Sequence, residues 1–163
     1  MGLGFKLKHH FFNAFREIFV HHHGSLEFRA KIFTLLIAVN EDIPDDIYMI
    51  IKNIGLEIYN DDEDRANLLM LSTQELVKKV HDKNGLDIDT LVLHLQKELR
   101  IVPRYAKKID ITSLQPIIAM TDDKDILSYQ KNIIEFLSTL KEETLHSKKS
   151  QIAKDEANID FKY

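Results

Sequence analysis

Two short stretches concentrate the side chains of this chain that are able to do chemistry. "NEDIPDD" (residues 40–46) and "TDDKD" (residues 121–125) each crowd carboxylates into a few positions. Hard cations such as Ca²⁺ or Mg²⁺ need several oxygen ligands converging from a turn. Asp122, Asp123 and Asp125 offer one such set, and Asp42, Asp45 and Asp46 offer another. If the fold brings both turns together, Asp42, Asp45, Asp122 and Asp123 become a candidate metal site, with a divalent cation as the one cofactor the sequence suggests. The same residues have a plainer use at helix N-termini, where aspartate accepts backbone N–H bonds and complements the helix dipole. Neither turn has the spacing or the central glycine of an EF-hand loop.

Other residues invite the same question. His9, His10, His21, His22 and His23 are able to pick up Zn²⁺, Ni²⁺ or Cu²⁺. His9 and His21 lie about three turns apart on one predicted helix, too far to share an ion. The chain has no cysteine, so a thiolate zinc site and a cysteine nucleophile are excluded. His81, His94 and His146 stand alone and read as surface residues. "VPRYAKKIDI" gathers Arg104, Lys107 and Lys108 around Tyr105, a basic loop suited to an acidic partner or simply to solvent. No nucleophile elbow, P-loop, dinucleotide fingerprint or H-E-x-x-H occurs, and the expectation is a protein that is not an enzyme.

Charge narrows the partners. The net formal charge is −4. Residues 40–64 hold nine acids against Lys52 alone, whereas residues 1–31 hold five bases and two acids, or +3. An acidic chain is poorly suited to nucleic acid, where affinity comes from phosphate neutralisation. No run of about 18 uncharged apolar residues occurs, so no membrane span is expected. The first residues lack the apolar core of a signal peptide, and Lys6 stands where myristoylation wants serine or threonine. The expected compartment is the cytoplasm.

The elements that must position these residues read at helical period almost throughout. Phe11, Phe12, Phe15, Ile18 and Phe19 form the aromatic face of a first helix, ended by "HHHG" with Gly24 as its left-handed cap. Five phenylalanines in nineteen residues are costly to leave in water. That face is expected to pack within the chain or across a homodimer, or to lie on an anionic membrane as a peripheral contact. With Arg104, Lys107 and Lys108 it supplies the candidate partner-binding residues.

Ser25 is expected to cap a second helix, whose middle, "IFTLLIAV", is apolar all round and belongs in the centre of the core. Pro44 opens a third with Ile47, Ile50, Ile51, Ile54 and Ile58 as its stripe. A fourth carries Leu69, Leu76, Val77 and Val80 before "DKNGLD" stops it, and a fifth runs from about Ile88 to Val102. Ser113 is expected to cap a sixth, with Pro116 in its first turn, and a seventh runs from about Ile126 to Leu140. Residues 143–163 read as a charged tail, either a solvated helix extension or disordered.

Two of these segments echo each other. "IAVNEDIPDDIYMIIKNIGLEI" and "IAMTDDKDILSYQKNIIEFLSTL" align Ile37 and Ala38 with Ile118 and Ala119, Glu41 and Asp42 with Asp122 and Asp123, and Tyr48 with Tyr129. The pattern resembles the TerB-like all-helical domain of tellurite-resistance TerB proteins and of DjlA-type DnaJ-like co-chaperones. That family shows, twice, a buried helix ending in Ala-x-x-Asp-Gly and then an acidic helix start. Here "AMTDDKD" keeps Asp122 with Asp123 in place of the glycine, and the first copy has Asn40 and Glu41. The resemblance covers roughly residues 26–142. It implies a single all-α domain of about seven helices with an approximate internal two-fold repeat. It further implies an interaction or regulatory module linked to stress response or to a chaperone system. The alternative it leaves open is a divalent-metal-binding stress protein. DjlA-type proteins place a J domain with a His-Pro-Asp motif after this domain and a membrane segment before it, and neither is found between Met1 and Tyr163.

Overall fold

The computed structural model describes residues 24–160, and every regular element among them is helical. In chain order these are α1 (Gly24–Ile37), α2 (Asp45–Ile58), α3 (Glu63–His81), α4 (Ile88–Ile101), a 3-10 helix (Pro103–Lys108), α5 (Ile111–Ala119) and α6 (Lys124–Asp160). These seven helices form one all-α domain, as expected, though the membership differs. The aromatic segment and its Phe11, Phe12, Phe15 and Phe19 lie outside the described residues. The seventh helix is instead the basic "PRYAKK" stretch, expected as a loop.

The apolar middle of α1 does what its composition requires. Leu26, Phe28, Ala30, Leu35 and Leu36 are fully buried, and Ile32, Phe33 and Ile37 nearly so. α3, α4, the 3-10 helix and α6 all pack against it, whereas α2 is held by α3 and α5. Burying one such side chain is worth roughly 1.5–3 kcal/mol, so α1 is the largest single contributor to the core. Lys31 is buried on this helix too, its stem against apolar neighbours and its Nζ 2.9 Å from Glu98 Oε1 on α4.

The caps follow the aspartates. Asp62 accepts from the Arg65 N–H, Asp87 from the Thr90 N–H at 2.7 Å, and Asp110 from the Ser113 N–H. The Thr90 bonds hold the Asp87 carboxyl below the usual carboxylate range. Three capping expectations shift. Asp110, not Ser113, caps α5, because a cap accepts from the residue three further on and Ser113 is that residue. Pro116 consequently falls inside α5 rather than in its first turn. Ser25 is likewise inside α1, since Gly24 before it is already helical.

Gly24 does not adopt a left-handed conformation. A methyl group there would stand 2.5 Å from the Tyr105 hydroxyl, so the tip of that side chain would have to shift to admit it. Tyr105 also packs its ring 5.4 Å from that of Phe28, so the 3-10 helix is anchored on the first turns of α1. The charged tail takes the helical alternative: α6 runs unbroken for 37 residues, about 55 Å, without a boundary near residue 142.

α2 and α3 approach closely at Gly55, where an added Cβ would meet the Ala66 Cα at 3.0 Å and Leu69 Cδ2 at 3.3 Å. We expect Gly55→Leu to lower the unfolding free energy by about 1–3 kcal/mol or more, since helix propensity gains only about 1 kcal/mol against that clash. Gly85, at φ +75 with open space around it, is the comparison. Gly85→Ala costs only its backbone strain, roughly 1–2 kcal/mol. Urea denaturation of both variants reads the difference.

Candidate functional site

A helix leaves its last four carbonyls without helical partners, and at the C-terminal end of α1 those groups are surrounded by core. The chain supplies a partner for each. Thr34 O accepts from the Ala38 N–H at 2.9 Å, and Ile37 O from the Asn40 N–H at 3.1 Å. Leu35 O accepts from the Tyr129 hydroxyl at 2.9 Å, and Leu36 O from Gln130 Nε2 at 3.3 Å, both on α6. Ala38 O lies 2.9 Å from His81 Nε2 at the end of α3, which fixes that nitrogen as the protonated one. His81 is at the surface as expected, but it is not isolated. Gln130 is itself buried and receives the Thr121 hydroxyl at 2.8 Å.

This arrangement clamps the turn after α1 to the turn before α6, so the two acidic elbows do meet. Between them lies a cleft of about 280 Å³. Its walls are apolar, from Ile37, Ile43, Ile47, Ile117, Met120 and Ile126, and its polar lining comes from Asn40, Thr121, Asp122, Asp123 and Gln130. Asp42 and Asp45 are exposed and do not line it. Asp123 Oδ1 accepts from the Asp125 and Ile126 N–H groups at 2.8 and 3.2 Å, which makes it the cap of α6. In the first elbow the Asn40 side chain does this work for the Asp42 N–H, at 3.1 Å. Among the described residues no three His, Asp or Glu side chains come together as a metal-ligand group. Of the four carboxylates in the candidate metal site, the fold gathers Asp122 and Asp123 only.

The basic candidates sit elsewhere. Arg104 and Lys107 are exposed on the 3-10 helix, and Lys108 is half-buried near Arg29, Asp110 and Ser113. None of the three lines the cleft. The residues the sequence did not single out are Asn40, Thr121 and Gln130. For Gln130 a signal existed: it occupies the inward stripe of Ile126, Ile133, Leu137 and Leu140, an apolar register interrupted by one amide. Comparison with protein-family models, with curated proteins and with solved structures returned no match.

Burial, reinforced by the Asp89 carboxylate, pushes the Tyr129 phenol from 10.0 up to about 12. The unfolded chain then loses this proton first, so stability is full below pH 10 and falls as pH rises from 10 towards 12. Tyr129→Phe is expected to flatten that fall, measured by denaturant titration at several pH values. At neutral pH the same variant strands the Leu35 carbonyl and is expected to cost about 1–3 kcal/mol.

Proposed function

We propose that this chain is a non-enzymatic protein-interaction module of the TerB-like kind, and that the cleft between its two elbows is the surface it presents. The observation that carries the reading is the cleft's composition: apolar walls with Asp122 and Asp123 at one side and Met120, 48% exposed, at its mouth. Such a surface suits an amphipathic segment with apolar side chains to insert and a basic side chain to meet the carboxylates. The acidic run of residues 40–64 borders it and would steer a basic partner inward. Two further features support the TerB-like part. Both echoing segments are helix–acidic elbow–helix units, and they pack crosswise, α1 on α6 and α2 on α5. That is the pairing an approximate two-fold between them would require.

On this reading the module targets or regulates a partner in a chaperone or stress-response system, in the cytoplasm. A His-Pro-Asp motif encoded beyond Tyr163 would place it in a DnaJ-like co-chaperone. The metal alternative keeps Asp122 and Asp123 as its ligands at the same elbow.

One titration series separates the two. A synthetic amphipathic peptide of lysine and leucine, added to isotope-labelled protein, is expected to shift the signals of Asn40, Ile43, Met120, Thr121 and Ile126. Met120→Glu combined with Asp122→Asn is expected to weaken that binding about tenfold or more, the loss of roughly 1.4 kcal/mol. Shifts scattered over the surface, or unaltered by the double variant, would reject the cleft. Calorimetry with Ca²⁺, Mg²⁺ and Zn²⁺ tests the alternative: heat that disappears in Asp122→Asn supports it, and no heat removes it.

A further inference from the structure

A second concavity shares no residue with that cleft. It is a groove of about 620 Å³ between the C-terminal end of α4 and the second half of α6. Leu99 and Pro103 on one wall and Leu140 and Ile152 on the other make it apolar, and Arg100, Glu143 and Lys148 give it charge. Leu145 is the last apolar side chain of α6 packed on the core, and from Gln151 to Asn158 every side chain is exposed. Ile152, 47% exposed, thus sits on a helix that has run past its own body. Nor are the charges paired at home: among the described residues no ion pair involves Arg100, Glu143 or Lys148.

We propose that this groove is half of a two-fold symmetric interface, in which α6 of a second copy of the chain lies antiparallel to α6 of the first. The pattern of α6 itself identifies the occupant. Leu140, Glu143, Thr144, Ser147, Lys148 and Ile152 all line the groove and recur at helical spacing, so they share one face. A two-fold axis passing beside Leu145 and His146 sets residues equally far on either side of it against each other. Glu143 then meets Lys148 of the partner subunit, Leu140 meets Ile152 of the partner subunit, and each contact occurs twice. Thr144 and Ser147 fall at the crossing, where short side chains let the helices come close. The same pattern disfavours the other arrangements. A parallel pair would set Glu143 against its own copy and Lys148 against its own copy, and like charges in contact repel. Sliding the antiparallel pair by one turn would set Lys148 against its own copy or against Leu140. Arg100, on the α4 wall, offers a cation to Asp155 and Glu156, the acidic turn that follows Ile152 in the partner. The charges therefore select register and direction, as they do along a coiled coil, and burial of Leu140 and Ile152 supplies the attraction.

Sedimentation equilibrium of the full chain is the test. The average mass is expected to climb towards that of two chains as concentration rises from about 1 μM to about 1 mM. Glu143→Lys alone, or Lys148→Glu alone, places two like-charged contacts in the symmetric interface and is expected to weaken association about tenfold or more. The double variant Glu143→Lys with Lys148→Glu restores opposite charges and is expected to return the dissociation constant to within about threefold of the original. Circular dichroism of each variant is expected to be unchanged, because Glu143 is exposed and Lys148 half-buried. A chain that stays single at about 1 mM would overturn the proposal. Association indifferent to the single reversals would place the contact elsewhere, and reversals that the double variant does not rescue would reject the antiparallel register. No peptide or metal enters this experiment, so it fails or succeeds apart from the cleft.

Discussion

The structure depends on satisfying the buried end of α1. An apolar helix placed at the centre of a domain solves the hydrophobic problem and creates a polar one, because its terminal carbonyls face neighbours and not water. Two of those carbonyls are met by the backbone that follows, at Ala38 and Asn40. Three are met from a distance, by Tyr129, Gln130 and His81. The separations in sequence are 94, 94 and 43 residues, so these bonds form only when α3 and α6 are already in place. They therefore act as a register check on the whole bundle: a helix displaced by one turn would leave a buried acceptor stranded.

The clamp also explains why the molecule has a cleft where it does. Tyr129 and Gln130 lie in the second turn of α6, so bonding them to α1 draws the acidic elbow before α6 against the one after α1. Two turns built for capping end up facing each other. Their carboxylates remain divided between tasks, with Asp123 committed to backbone N–H groups and Asp42 and Asp45 turned to solvent. What remains between them is an apolar slot with a polar side.

The two concave surfaces differ in origin. The cleft arises from the way the helix pairs meet. The groove exists because α6 is longer than the body it packs against, so its second half and the end of α4 enclose space that the described residues leave unfilled. The charged composition of that half keeps most of its circumference compatible with water, while Leu145 packs against the core and Ile152, with Leu140 before it, lines the groove.

The sequence by itself showed the six α-helices among the described residues, because helical period, aspartate caps and the glycine and proline stops are local signals. It determined that "IFTLLIAV" is central, since a helix apolar all round has no face to give to water. It showed two acidic elbows and the echo between them. It did not determine that Asp110 caps α5, that "PRYAKK" closes into a 3-10 helix anchored by Tyr105, or that Gly24 faces the hydroxyl of a ring eighty-one residues away. Nor did it reveal Gln130 as a buried ligand of α1. Tertiary structure decided these because each depends on a partner remote in the chain. The need for hydrogen bonds at a buried helix end is general, but which side chains answer it is settled only when the helices meet.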